Sequence, residues 1–257
     1  RTIVKSFSCP RATSFRANTM KATNQNVGDF LREHRIAFSR VKNLLHAFVA
    51  TKLSDKEVRD LSICQEGKIY MQGLSSMIPP LVLNPKPGEY VLDLCAAPGS
   101  KTSQMAAMMQ GHGCLVAMEK DHIRFQKLTH TLRLQGANFV EAIEGDATRL
   151  CKNFAKTFDK ILADVPCSAE GRIDTHDPRS YRFWSEKNIT AHAKLQRALL
   201  RAAMPCLKAG GTLVYSTCTL APEENEEMMT WLLAEFPNMR EKKIEIPLSG
   251  RKQKHGF

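Results

Sequence analysis

From Glu89 onward the chain alternates short apolar runs with longer segments of helical spacing. The runs Tyr90–Leu94, Leu115–Met118, Phe139–Ile143, Asp159–Ala163 and Thr212–Tyr215 are the length of strands, and they lack the strict polar alternation of a half-exposed sheet. Helical stretches separate them at roughly 101–110, 122–135, 188–207 and 222–235; in the third, Leu195, Leu199, Ala202 and Ala203 form an apolar face. Short apolar strands between longer amphipathic segments predict an α/β fold, a parallel sheet covered by helices on both faces. In such a sheet the loops at the carboxyl ends of the strands converge on one crevice, where ligands bind.

A different pattern precedes this half. Thr13 to Asn18 reads as a short strand, and Gln25 to His34 has helical spacing with Val27, Phe30 and Leu31 on one face. Leu45 to Val49 is apolar, and Ser54-Asp55-Lys56-Glu57 has the form of a capped helix start. Pro79-Pro80 and Asn84-Pro85-Lys86-Pro87-Gly88 punctuate the approach to the sheet. The expectation is a small basic α+β RNA-binding domain over residues 1–69 and a Rossmann-like domain over 70–257.

Charge sharpens that division. The 257 residues carry a formal net charge of +11, and residues 1–87 hold 14 Lys/Arg against 6 Asp/Glu. A smaller basic cluster lies at Arg251, Lys252 and Lys254. Clustered positive charge is the footprint of polyphosphate binding, against the plain alternative of a solvated basic face. No apolar stretch approaches the ~20 residues of a membrane helix. The eight cysteines show no Cys-x-x-Cys pair and no zinc-type spacing, so no metal is expected. Thiols in a chain long enough to build its own core fit a reducing intracellular compartment, the cytoplasm ahead of nucleolus or organelle. A monomer is expected.

Three strand ends carry the candidate chemistry. Asp93-Leu94-Cys95-Ala96-Ala97-Pro98-Gly99-Ser100-Lys101-Thr102 ends a strand and opens a helix. Backbone N–H groups there face the crevice, and Ala96, Ala97, Gly99 and Ser100 are small enough for close approach. The loop has neither the phosphate-gripping Gly-x-x-x-x-Gly-Lys nor the dinucleotide Gly-x-Gly-x-x-Gly spacing. Glu119 follows the second strand, where a carboxylate commonly holds a ribose hydroxyl pair. Asp146, after the third, is placed to accept from an adenine amino group, or simply to cap a helix. Acids at three successive strand ends with this loop favour S-adenosylmethionine as cofactor. The fourth and fifth strand ends, Asp164-Val165-Pro166-Cys167-Ser168 and Tyr215-Ser216-Thr217-Cys218-Thr219, each add a thiol. A nucleotide loop sharing a crevice with two cysteines points to a transferase that uses a cysteine nucleophile.

The segments 93–102, 164–171 and 215–226, with Arg16-Ala17-Asn18-Thr19-Met20-Lys21 and Tyr70-Met71-Gln72-Gly73-Leu74-Ser75-Ser76, resemble the motifs of the RNA cytosine-C5 methyltransferases, the NOL1/NOP2/Sun group. The resemblance covers roughly residues 12–237 and rests on the order and spacing of the motifs. It implies a class I methyltransferase sheet, S-adenosylmethionine as cofactor and RNA as partner. Carbon C5 of cytosine is a poor nucleophile, so a thiolate first adds at C6 and makes C5 enamine-like; loss of the C5 proton and expulsion of the thiolate finish the cycle. By resemblance Cys218 is the attacking thiolate, Cys167 assists release of the adduct, and Asp164 hydrogen-bonds N3 and the exocyclic amine. Lys101, unfavourably placed at a helix start, is assigned near substrate or cofactor. The implied cofactor set is Cys95 to Lys101 with Glu119, Arg124, Asp146 and Asp164, although packing is the simpler role for Cys95 and an exposed helix position the simpler one for Arg124. Thr219, Ala169 and Glu119 stand where many members have Ser, Gly and Asp. The family pattern continues beyond Phe257 into a further apolar strand.

A base reached from either face must be single-stranded or flipped out. Ribosomal RNA is the first expectation because no extra RNA-binding module is recognised, with tRNA as the alternative. His176, Arg179, Tyr181, Arg182, Phe183 and Trp184 mix cations and aromatics in one loop and suit an RNA clamp or, equally, a helix-docking pair. The rival functions are an amino-directed methyltransferase, which needs no cysteine, and a catalytically silent RNA-binding scaffold. Cytosine methylation in DNA would instead use the Pro166-Cys167 thiol.

Overall fold

Among residues 7–9 and 11–244, which the computed structural model describes, the strands form a four-stranded and a five-stranded sheet. The basic cluster at 251–254 lies outside the described residues.

The first sheet is antiparallel, with order β2 (Phe38–Arg40), β3 (Ala47–Ala50), β1 (Thr13–Ala17), β4 (Ile69–Met71). Helix α1 (Asn24–Glu33) covers it, started by Thr23 in a reciprocal cap with Asn26. Ser54 and Glu57 form the same kind of box at the start of α2 (Asp55–Asp60), satisfying otherwise orphan N–H donors. A short α3 (Ser62–Gln65) follows. Phe15, Val27, Leu31, Phe48, Val58 and Ile69 fill the core beneath these elements. Because β4 pairs with β1, this sheet runs past residue 69. Pro79 and Pro80 do not break the chain: they occupy the first turn of α4 (Ile78–Leu83), where proline forfeits no helical hydrogen bond.

The second sheet is wholly parallel, in the order β7 (Glu141–Glu144), β6 (Cys114–Glu119), β5 (Tyr90–Asp93), β8 (Phe158–Asp164), β9 (Leu207–Ser216). Successive residues of one strand face opposite layers. Leu92, Val116 and Ile161 pack with Leu199 and Leu200 of α8 (Glu186–Ala203) and Met228 and Leu232 of α9 (Glu226–Glu235). Val91, Leu115 and Leu162 pack with Met105 and Met109 beside α5 (Ser100–Met108) and Leu128 and Leu132 of α6 (His122–Gln135). The sheet order reverses between β5 and β8, so the crevice for a ligand opens at Asp93 and Asp164.

Two boundaries differ from the expected ones for physical reasons. Pro205 ends α8 early, because it cannot donate within a helix, and β9 starts at Leu207. The expected helix over 222–235 is a short 3₁₀ turn, Pro222–Glu224, followed by α9; Asn225 between them leaves helical geometry at φ −124, ψ −92.

A buried polar seam joins the two sheets. The Asn18 side chain donates to the carbonyls of Gly67 and Gln135, both at 2.8 Å. Arg16 donates through Nε to Gln72 Oε1 at 3.0 Å and through Nη2 to Ser103 Oγ at 3.1 Å, and Gln72 reaches Gln104 at 2.8 Å. Burial lowers the Arg16 guanidinium to about 10, since no carboxylate offsets its desolvation.

Candidate active site

The loop after β5 begins and ends on fixed points. Thr102 Oγ1 donates to Asp93 Oδ2 at 2.7 Å, tying the first turn of α5 back to the strand end. Gly99 sits at φ +99, and a Cβ there would meet Thr131 Cγ2 at 3.0 Å, so glycine is required by conformation and by the closeness of α6. Ala96, Ala97 and Gly99 are buried between these helices, while Pro98 is exposed and Ser100 half-buried. Arg124 Nη2 donates to the Ala97 carbonyl at 2.8 Å, so an exposed side chain on α6 holds the loop.

The acids around this loop are differently employed. Asp93 is almost wholly buried with Oδ1 unpartnered, and burial raises its carboxyl to about 7 despite the Thr102 hydrogen bond. Glu119, also buried, accepts from the Asp121 N–H through Oε1 at 3.0 Å. Arg124 Nη1 lies 3.4 Å from Glu119 Oε2, within ion-pair reach but misaligned, so Oε2 has no hydrogen-bond partner. A buried carboxylate oxygen with a free lone pair fits a ribose hydroxyl donor. Asp146 caps α7 (Ala147–Leu150), accepting from Thr148 Oγ1 at 2.7 Å and Thr148 N at 2.9 Å; these bonds, the hydroxyl's first, hold it below the usual carboxylate range. The capping role left open by the sequence is thus occupied through Oδ1. Burial, reinforced by Asp93, Glu119 and Asp164, pushes the Cys95 thiol up, so it behaves as an inert packing group.

Across the switch point, Lys101 Nζ meets Asp164 Oδ2 at 2.5 Å, and Ser216 Oγ donates to Asp164 Oδ1 at 2.6 Å. The first turn of α5 and the end of β9 thereby fix the carboxylate at the end of β8. Beyond it, Cys167 Sγ and Cys218 Sγ stand 3.1 Å apart, and the Cys218 N–H also points at Cys167 Sγ at 3.2 Å. With Cys167 as S–H donor, Cys218 is lowered to about 7, helped by the charges of Arg172 and Lys101 and opposed by burial and Asp164. The same hydrogen bond, with burial, raises Cys167. The pair is thus arranged to share one proton, with Cys218 the more acidic partner when Cys167 is the donor. Cys218 is exposed to the crevice and Cys167 half-buried.

The residues holding these thiols escape a sequence reading. Gly171 N–H donates to the Cys218 carbonyl at 2.9 Å. Asn225 donates through Nδ2 to the carbonyls of Thr219 and Ala221 at 3.2 and 2.9 Å, and accepts through Oδ1 from Thr217 Oγ1 at 2.6 Å. Glu170 Oε2 accepts from Leu220 N at 3.2 Å, while its Oε1 accepts from the Trp184 indole at 2.7 Å. Their signal was the motif segments 164–171, for Glu170 and Gly171, and 215–226, for Asn225, which mark a family pattern without revealing what these side chains touch. In the cationic–aromatic loop, Trp184 anchors Glu170 and Arg179 pairs with Asp177, whereas Phe183 is 71% exposed beneath the Arg182 guanidinium, 4.4 Å from its ring centre. The Phe/Trp pair is not docked as a helix anchor.

A separate cleft of about 750 Å³ lies along the seam, lined by Arg16, His46, Met77, Pro85 and Gln104, and includes none of the strand-end groups. Its size does not make it the reactive centre, because the thiols and carboxylates lie elsewhere. Among the described residues, no group of three or more His, Cys, Asp or Glu could hold a metal ion, and no helix is long and apolar enough to cross a membrane.

The parallel sheet, the strand-end loop and its acids define a Rossmann-like class I methyltransferase. Residues 80–256 match the family model described as 16S rRNA methyltransferase RsmB/F. The chain is 37% identical over 239 residues to the tRNA (cytosine(49)-C(5))-methyltransferase of Pyrococcus abyssi, covering 93% of this chain and 76% of that protein. It is 36% identical over 225 residues to the ribosomal RNA small subunit methyltransferase F of Shewanella amazonensis, 87% of this chain and 48% of that protein. A solved methyltransferase homologue from Pyrococcus horikoshii superposes with a TM-score of 0.80 at 34% identity, covering 91% of this chain and 73% of the other. The chain belongs to the RsmB/F family, whose members are S-adenosylmethionine-dependent RNA cytosine-C5 methyltransferases. It spans about half the length of the bacterial relative and three quarters of the archaeal one.

Proposed function

We propose that this chain methylates C5 of a cytosine in structured RNA through a covalent adduct on Cys218, with Cys167 assisting release. The observation that carries the reading is the thiol pair, 3.1 Å apart with opposite biases in acidity, beside the Lys101–Asp164 pair. Cys218, as thiolate, adds to C6. Asp164, oriented by Lys101 and Ser216, accepts from the exocyclic amine and, entering the step as the acid, passes its proton to N3 as the adduct forms and regains it when the C6–S bond breaks. Cys167 then acts where the C5 proton leaves and the C6–S bond breaks. The C5 proton passes to a base, with Cys167, 3.1 Å from the departing sulfur, as the acceptor once it has lost its own proton, and the C5–H electrons expel Cys218 from C6 as thiolate.

The cofactor reading rests on the free lone pair of Glu119, the close packing at Gly99 and the Arg124 clamp on Ala97. The loop from Cys95 to Lys101, with Glu119, Arg124, Asp146 and Asp164, would hold S-adenosylmethionine. When bound, that cofactor supplies the electrophilic methyl group that C5 accepts.

Ribosomal RNA is the first substrate proposed, in keeping with the family model and the bacterial relative. Transfer RNA is the second, favoured by the archaeal relative that matches 93% of the chain. Phe183 and Arg182 are proposed to stack on a flanking base, and the basic residues upstream of the sheet to track phosphates. Incubating the protein with labelled S-adenosylmethionine and purified small-subunit rRNA or tRNA, then mapping 5-methylcytosine, separates the two. Label in rRNA alone supports the first reading; label in tRNA alone replaces it.

A further inference from the structure

Glu224 ends the 3₁₀ turn that precedes α9, fully buried, and among the described residues no lysine, arginine or histidine forms a salt bridge with it. A carboxylate without a cation is costly to bury, and an apolar side chain would fill the same volume more cheaply. What it touches explains its presence. Both carboxylate oxygens accept from the Ser168 N–H at 3.2 Å, the peptide group just after Cys167. Gln196 Nε2 donates to Glu224 Oε2 at 2.6 Å and to the Pro166 carbonyl at 2.9 Å, the peptide group just before Cys167. The backbone is therefore gripped on each side of one thiol.

The grip has a fixed polarity. Tyr215 Oη donates to Gln196 Oε1 at 3.0 Å or to the Glu224 carbonyl at 2.7 Å, which turns the Gln196 amide nitrogen toward Glu224 and Pro166. Burial and the Glu224 charge push the Tyr215 hydroxyl up, so it remains a donor. The Cys218 segment is held by a different set, Gly171, Glu170 and Asn225. The two thiols thus have largely separate supports, joined by the Ser168–Thr219 hydroxyl contact at 2.6 Å.

We infer that Glu224 and Gln196 are positioning residues for Cys167, and that they govern release of the RNA adduct more than its formation. Formation depends on Cys167 only through the hydrogen bond that lowers Cys218. The inference rests on the release role proposed for Cys167. Neither residue touches substrate; both act by fixing where the Cys167 sulfur sits relative to the adduct. Replacing Glu224 by glutamine keeps the shape but presents an amide donor to the Ser168 and Gln196 donors, so one contact is lost and the loop is released.

The test is a single-turnover reaction with labelled S-adenosylmethionine and RNA, following adduct and free methylated RNA on denaturing gels. It compares the parent with Glu224→Gln, Gln196→Met and Cys167→Ala, with cofactor binding measured for each. The expected result is adduct formation slowed no more than about threefold in Glu224→Gln and Gln196→Met, with release slowed about tenfold or more, in the direction of Cys167→Ala. Gln196→Met decides the matter if Glu224→Gln loses cofactor binding through misfolding. Release at the parental rate in the two variants, or equal slowing of formation and release, overturns the inference while leaving the role of Cys167 intact. Parental release in Cys167→Ala overturns the release role itself, and this inference with it.

Discussion

Gly171 donates its N–H to the Cys218 carbonyl at 2.9 Å, and a Cβ at position 171 would lie 2.9 Å from that same oxygen. The glycine is thus required by contact with the peptide that carries Cys218. Gly171→Ala should displace the Cys218 segment and slow adduct formation about tenfold, with S-adenosylmethionine affinity unchanged because the cofactor loop is on another strand. Adduct formation in single turnover, paired with cofactor binding by calorimetry, checks this.

Acidity at Cys218 gives a directional pH dependence. Its constant is lowered to about 7, so the thiolate fraction rises as pH passes from 6 to 8, and adduct formation should rise with it and then level. Lys101 contributes to that lowering. Lys101→Met should therefore move the midpoint upward in a pH series of adduct formation.

Asp164 is expected to be far less tolerant than its supports. Asp164→Asn removes the charge that Lys101 and Ser216 orient, and should cost roughly a hundredfold or more in adduct formation. Ser216→Ala removes one hydrogen bond and should cost about three- to tenfold. The ratio of the two losses is the measurement, since equal losses would mean that Ser216 does more than orient.

Much of this candidate site was legible in the sequence because its polar groups fall at strand ends, where the apolar runs stop: Asp93, Glu119, Asp146, Asp164, Cys167 and Cys218 all do so. The parallel sheet followed from the same runs, since strands buried on both faces have no polar alternation. What stayed hidden depends on chain segments far apart in sequence. Nothing local marks Gln196 on α8 as a partner of Pro166, or Arg16 as a donor to Ser103. Pro79 and Pro80 were read as punctuation because proline usually breaks helices, but at a first turn it does not. Asn225 likewise breaks the expected helix because its side chain is committed to the carbonyls of Thr219 and Ala221.

The buried Asp93 should make the protein without cofactor less stable as pH rises. Burial raises its carboxyl from 3.8 to about 7 in the folded state. Between those values the folded chain binds more protons than the unfolded chain, so stability is greatest below about 4 for this group and declines up to about 7. Asp93→Asn should flatten that part of the profile, measured as denaturant midpoints from pH 5 to 8.

The most direct measurement is methyl transfer from labelled S-adenosylmethionine to RNA by the parent, Cys218→Ala and Cys167→Ala, resolved on denaturing gels. The two-cysteine reading expects no 5-methylcytosine and no adduct with Cys218→Ala, and a trapped protein–RNA adduct with Cys167→Ala. Methylation of RNA by Cys218→Ala would contradict it and point to an amino-directed reaction, while a covalent link made through Cys167 would reverse the roles of the two thiols.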